Sequence, residues 1–245
     1  MRTRTVLIGA VAVLVVLGAG VLWFTGRESI EEVDLDRAVA DLAEAEAQRE
    51  DPSEGGPEAD ANIDPSGTWV IDTDVVPFDT RTGTGSFVGY RIDEELSGRG
   101  AVVAVGRTPR VEGEIFIDGS RVTAAEVRAD LVGLESDNST RDLRVAPLFR
   151  DRPVSFRLTA PFDFGEVPES AQRVVTAAVG VLRIGDIEQD MTFELSAEIV
   201  GQRLFVGGST TVTLADFDVR VPSVPVVLSV SEVATIELQL YLSRG

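Results

Sequence analysis

No cysteine, no histidine and no lysine occur in this 245-residue chain. The missing cysteines rule out a disulfide framework and thiolate metal sites. The missing histidines take away the commonest other zinc ligand and the usual general base near neutral pH. Most nucleophile-and-base arrangements close with them, so the residues point to no catalytic group, no metal and no cofactor. Every one of the 22 basic residues is arginine, which reads as coding bias, and 41 acidic residues oppose them for a net charge of −19. That balance excludes nucleic acid as a partner, because neutralising phosphates takes clustered basic charge.

What the chain does have, at its start, is a long apolar run. Arg2 and Arg4 precede VLIGAVAVLVVLGAGVLWF, Val6 to Phe24, which is 19 residues without a charge. About 20 helical residues cross a bilayer core, so residues 6–24 are expected to form a transmembrane helix. Arginines before the run and Glu28, Glu31, Glu32 and Asp34 after it set the amino terminus in the cytoplasm. Trp23 stands where an interfacial aromatic would. A cleaved secretory signal is the other reading, but its apolar core is usually shorter and ends in a small-residue site that is not evident here. Both readings carry the remainder out of the cytoplasm. Residues 1–27 are therefore expected to be a single-pass anchor in the cell membrane.

An acidic segment follows. From Glu28 to Asp64 there are 14 acidic and 2 basic residues, a balance of −12. Ser29 and Glu32 match a capping box, and Leu35, Ala38, Val39 and Leu42 recur at helical spacing. A short helix from about Ser29 to Arg49, serving as a solvated spacer, is the expectation. Asp51 to Gly67, DPSEGGPEADANIDPSG, has the Pro, Gly, Ser and acid content of a flexible linker. Residues 28–67 thus read as stalk and linker.

Residues 68–245 read as strands. The stretch from Ser120 to Ala160 shows the rule: Val127, Ala129 and Leu131 alternate with Glu126, Arg128 and Asp130, and Val154, Phe156 and Leu158 alternate with Ser155, Arg157 and Thr159. Such alternation gives a strand one oily and one wet face. Between them lies the polar connection Glu135 to Asp142, rich in side chains that bond locally to the backbone. Met191 to Ile199 and Ile236 to Leu242 repeat the pattern, with Glu194, Glu198, Glu237, Gln239 and Tyr241 on the wet side. Asp118-Gly-Ser120, Gly185-Asp186 and Gly201-Gln202 are short enough for hairpins. Ten such runs with almost no helix predict an all-β fold. The expected form is an antiparallel up-and-down, lipocalin-like β-barrel of about eight strands, since closure removes sheet edges. A β-sandwich is the alternative.

An ordered series of segments also resembles the YceI-like family of lipid- and polyisoprenoid-binding, extended lipocalin-like barrels. Trp69-Val-Ile-Asp72 is similar to the family's opening strand, Ser86-Phe-Val-Gly-Tyr-Arg-Ile92 to its second, and Val105-Gly-Arg107 with Val111-Glu-Gly113 to its v-x-G region. Val127 through Asp142, ending in Asp137-Asn138 and Arg141-Asp142, resembles the central block that closes on D-N-x-x-R-D. Pro153-Val-Ser-Phe156 and Val179-Gly-Val-Leu-Arg-Ile-Gly185 followed by Met191-Thr-Phe-Glu-Leu195 continue the series. The histidines common in the family are missing, so any role they play does not carry over.

The resemblance implies a non-catalytic binding module whose elongated apolar interior holds an isoprenoid or other long-chain lipid. Inward positions expected to form the wall are Phe116, Leu131, Phe156, Leu158, Phe193, Leu195, Val212, Leu214, Ile236 and Leu238. Arg141 is the candidate for a lipid head group, through its planar fork of donors, or else a partner of Asp142 that pins the loop. Rival readings are a cell-surface interaction module and an extracytoplasmic hydrolase using Asp137 with Asp142 or Glu194 with Glu198.

Overall fold

The computed structural model describes residue 30 and residues 32–49, 64–165, 172–221 and 224–245. The predicted membrane span at 6–24 and most of the predicted linker lie outside these residues. Among the described residues no helix is long and apolar enough to cross a membrane.

Twelve strands form one antiparallel sheet: β1 Gly67–Ile71, β2 Phe87–Leu96, β3 Gly100–Thr108, β4 Val111–Asp118, β5 Arg121–Ala129, β6 Glu135–Ser136, β7 Val154–Leu158, β8 Phe162–Asp163, β9 Val174–Ile184, β10 Ile187–Val200, β11 Arg203–Thr213 and β12 Val227–Arg244. The order β1-β4-β5-β7-β9-β10-β11-β12 closes on itself, because β12 also pairs β1 through Trp69 opposite Arg244 and Ile71 opposite Leu242. β2 continues the line of β1 along β12, β3 that of β4, and β6 and β8 extend the pairing of β3 and β5. The result is an eight-position barrel in which four positions are filled by broken strands. Two breaks have evident causes. Pro109 has no N–H to give a ladder. Asp130 turns β5 out of the sheet by accepting from the Val132 amide at 2.9 Å, which starts a 3-10 turn at Leu131–Gly133. The strand that the alternation carries on to Leu131 therefore stops at Ala129. The three predicted hairpin turns all form.

Alternation puts Trp69, Leu204, Val206, Leu240 and Leu242 inside at one end of the barrel, and Ile92, Leu182, Ile184, Val212 and Ala234 inside toward the other. The expectation of a wet outer face fails on β12, β11 and β3. Glu237, Gln239, Tyr241, Phe205 and Arg107 point outward, yet all are buried. Two coverings exclude water there. The first is the 72–86 loop between β1 and β2, whose Gly83 and Gly85 carbonyls each accept from Gln239 Nε2 at 2.9 Å. Under the same loop Arg107 Nε donates to Glu237 Oε1 at 2.7 Å, its guanidinium lying 4.7 Å from the Phe87 ring centre.

The second covering is a helix, α1, Leu35–Arg49. Its start is capped by Asp34, whose Oδ1 accepts from the Asp36 and Arg37 amides at 3.0 and 3.1 Å, and not by the predicted box at Ser29, which lies outside the described residues. The helix is no solvated spacer. Ala38 and Leu42 are buried against Phe205, Tyr241, Val75 and Val76. Tyr241 donates its hydroxyl to the Ala38 carbonyl at 3.0 Å. Leu35 lies over Gly207, where a Cβ would come within 2.6 Å of its Cδ2, so a glycine is what lets the helix approach. Arg203 joins the two ends of the covering by pairing with Glu46 at 3.0 Å and Asp72 at 2.8 Å.

Leu42→Ala should loosen this helix selectively. Removing a buried leucine costs about 2–5 kcal/mol, so α1 amides should exchange hydrogen roughly 30-fold faster or more while those of β9 to β12 keep their protection. Unchanged α1 exchange would show that the helix is not held by this contact.

Candidate functional site

The inward side chains do not fill the barrel. Two cavities remain, about 340 Å³ and about 110 Å³. Val127, Phe156, Phe193 and Leu238 border both, so the two are chambers of one interior divided by a waist. The waist is built around the rings of Phe156 and Phe193, which meet edge to face with centres 4.9 Å apart. Phe156 reaches this position because Gly180 has no side chain: a Cβ there would stand 2.5 Å from Phe156 Cζ. The smaller chamber ends on Pro65, Leu204 and Leu240, close to Trp69, which donates to the Pro65 carbonyl at 2.8 Å and lies under the Arg244 guanidinium.

Of the wall residues expected from sequence, Leu131, Val212, Leu214 and Ile236 line the larger chamber, Leu158 and Leu195 the smaller, and Phe156, Phe193 and Leu238 both. Phe116 is a correction. It lies on the outer surface, exposed, while its neighbours Ile115 and Ile117 face the smaller chamber. Three consecutive apolar residues, Ile115-Phe-Ile117, leave the parity of β4 undetermined; its pairing, with Val111 buried, sets it.

The larger chamber opens between a short helix, α2, Ser139–Val145, the far ends of β2 and β12, and the segment around Val221 and Val226. Asn138 caps α2 by accepting from the Thr140 and Arg141 amides at 3.0 and 3.4 Å, which accounts for the polar D-N-x-x-R-D run. That cap sets Arg141 at the mouth. Arg141 does not pair with Asp142. It donates to Asp137 at 2.6 Å and to Glu94 at 3.3 Å, while Asp142 accepts the Ser136 hydroxyl. Burial opposes the charge on Arg141, but Glu94 and Asp137 outweigh it and hold its pKa above the ordinary value. Its side chain is nonetheless 16% exposed and borders the cavity. Arg99 and Arg144 border the same opening, so three guanidiniums and the carboxylates of Glu94 and Asp137 share the mouth. Of the other pair suggested for hydrolysis, Glu194 is exposed, while Glu198 is buried and paired with Arg173 at 3.3 Å.

Sequence reasoning missed Tyr90, Glu94, Leu182 and Ile184, all of which line the larger chamber. The signal was present for three of them: Tyr90 shares parity with Val88 and Ile92, and Leu182 and Ile184 alternate within β9. Glu94 has no such signal, because it is an acid on the inward parity, tolerated only where the barrel opens and Arg141 meets it. Burial is the main cause that pushes the Tyr90 hydroxyl up to about 12; Arg141 pulls the other way and Glu94 adds to the rise. Burial raises Tyr241 as well.

These are the chain's two tyrosines. Tyrosine in an unfolded chain titrates near 10, so both hold their proton more tightly when folded. Their contribution to stability is complete below about pH 10 and is lost as the pH rises toward the folded values. The chain has no lysine, cysteine or histidine, the other residue types that ordinarily titrate between about pH 6 and 12. Folded protein should therefore show no tyrosinate absorbance below about pH 11, and its denaturation midpoint should fall between about pH 10 and 12. A tyrosinate signal with a midpoint near 10 in folded protein would contradict the burial of Tyr90.

Solved structures share this architecture. A polyisoprenoid-binding domain from Saccharophagus degradans, implicated in plant cell wall breakdown, matches with a TM-score of 0.55 at 12% identity, covering 74% of this chain and 99% of that one. BcnA of Burkholderia cenocepacia matches with a TM-score of 0.50 at 14% identity, covering 64% of this chain and 95% of that one. No protein-family model and no curated protein matches the chain. At these identities the likeness is one of fold: this domain is a closed eight-position barrel of the same fold as that polyisoprenoid-binding domain, the fold that the resemblance to the YceI-like family implies.

Proposed function

We propose that this chain is a membrane-anchored, extracytoplasmic protein that holds an isoprenoid or other long-chain lipid in its barrel without transforming it. The observation that carries this reading is the divided apolar interior, about 340 Å³ in its larger part, which is within the range of about 300–1,000 Å³ for small-molecule sites. Its wall is aliphatic and aromatic apart from the mouth. Burying a hydrocarbon chain there gains about 0.8 kcal/mol per CH₂, so micromolar binding, about 8 kcal/mol on top of an association cost of at least about 4 kcal/mol, asks for roughly fifteen buried carbons. The fold shared with a domain described as polyisoprenoid-binding supports the ligand class. The uncharged apolar run of residues 6–24, preceded by Arg2 and Arg4, supports a location at the membrane.

The guanidiniums of Arg99, Arg141 and Arg144 border the mouth together with Glu94 and Asp137, so a head group with acceptor oxygens, a carbonyl, hydroxyl or phosphate, meets hydrogen-bond donors there.

Organic extracts of the full chain purified from its native membrane should contain such a lipid by mass spectrometry. Val212→Trp, which fills the larger chamber, should reduce the yield at least tenfold with the fold intact by circular dichroism. Extracts free of lipid from the unaltered protein would refute the reading. The waist gives a second expectation, since replacing both Phe156 and Phe193 by leucine joins the chambers. Competition with a graded series of straight-chain alcohols should then show the preferred length increasing by several carbons, against no change if the waist is not in the ligand's path.

A further inference from the structure

The rim of the mouth is one of the places where the molecule exposes apolar side chains, beside Val70, Phe116 and Val175 elsewhere on the barrel. Leu143 on α2 is 78% exposed and Leu228 at the start of β12 is 61% exposed, with Val221 and Val226 exposed between them. Arg99 and Arg144 stand at the same rim and border the cavity. Leucines directed into water around an opening are the usual mark of a surface that meets another phase or partner.

The seat of α1 says which. Its first turn lies toward the mouth: Glu32 pairs with Arg91 at 3.5 Å, and Leu35 sits on Gly207. Its last turn lies toward the closed end: Glu46 pairs with Arg203, and Arg49 donates to the Asp74 carbonyl at 3.0 Å. Register along β12 gives the direction, since Leu96 at the mouth faces Val227, Arg91 faces Thr235, and Leu204 at the closed end faces Leu242. The helix thus points its amino terminus at the end of the barrel that opens.

The length of chain ahead of it completes the argument. Phe24, the end of the apolar run, is six chain steps from Ile30, which reach at most about 22 Å when fully extended. From Arg91 to the rim at Leu96 is five residues of β2, roughly 17 Å. From Thr235 to Arg244 at the closed end is nine residues of β12, roughly 30 Å. The anchor therefore reaches the level of the mouth and falls short of the closed end.

We propose that the mouth faces the bilayer from which the chain emerges, with Leu143 and Leu228 in contact with it. Lipid then passes between the leaflet and the larger chamber without crossing water. This rests on the anchored, lipid-binding reading above, and it adds an orientation which that reading does not require.

The absence of cysteine makes the test clean. Leu143→Cys, Leu228→Cys and, in the turn at the closed end, Gln202→Cys each provide a single labelling site for an environment-sensitive fluorophore. The full-length variants are reconstituted in vesicles of phosphatidylcholine and phosphatidylglycerol carrying a phosphatidylcholine with a nitroxide on its head group. Labels at positions 143 and 228 should be quenched several-fold more strongly than the label at position 202. Equal quenching at all three positions, stronger quenching at 202, or none anywhere would overturn the proposal. Mass spectrometry of the same preparations separates the two ideas. Bound lipid without rim quenching refutes the orientation alone, and rim quenching without bound lipid refutes the cargo alone.

Discussion

A strand has two faces, and in this barrel both faces of β11, β12 and β3 have to leave water. The inner faces are apolar and meet one another across the interior. The outer faces carry Phe205, Tyr241, Arg107, Glu237 and Gln239, a set that neither water nor a purely apolar cover suits. The 72–86 loop and α1 meet this mixed demand. The loop brings carbonyls to Gln239 and Arg107, and the helix brings a carbonyl to the Tyr241 hydroxyl and an apolar stripe to its ring. Without that backbone carbonyl the hydroxyl proton would be left unsatisfied, at a cost of about 1–3 kcal/mol.

The Arg107–Glu237 pair shows what such a cover accomplishes. Both side chains are buried, and taking two charges out of water costs several kcal/mol each, which their attraction offsets only with good geometry and further hydrogen bonds. The extra bonds are present: Arg107 also donates to the Thr80 carbonyl at 3.1 Å and stacks on Phe87. The pair adds little net stability over an apolar equivalent, but it accepts only one placement of the loop. β2, β3 and β12 are thereby fixed relative to one another, and β2 and β12 form one side of the cavity's mouth.

The inner architecture was legible because it obeys a single periodicity. Alternation put nine of the ten expected wall residues on the interior, although the same period in β2 and β9 also holds Tyr90, Leu182 and Ile184, which were missed, and the glycine turns placed the hairpins. Where the period is hidden the reading failed, as at Ile115-Phe-Ile117, in which three apolar residues offer two parities. It failed differently on β12. Glu237, Gln239 and Tyr241 are polar, and polarity was equated with solvent. Nothing local in β12 says that residues from the 72–86 loop and α1, at least 150 positions away, will supply partners. The helical stripe Leu35, Ala38, Val39 and Leu42 was visible, but a stripe identifies a buried face without naming the surface that buries it. Gly207 is intelligible only once Leu35 is seen above it.

The cavity is the feature that folding by itself would remove. Apolar cavities in packed cores cost roughly 24 cal/mol per Å³, so an unfilled space of about 340 Å³ forgoes up to about 8 kcal/mol, comparable to the whole stability of an ordinary domain. Larger side chains at Ala129 or Ala234, both on the wall, would recover much of that. The chain instead keeps small residues there and adds bulk only at the waist, where Gly180 gives up its own side chain to seat Phe156. The interior is therefore neither loosely packed throughout nor packed as tightly as the strands permit. It is solid at Trp69, narrowed at Phe156 and Phe193, and open toward Arg141, a gradation that admits a tapering apolar chain with its polar end outermost.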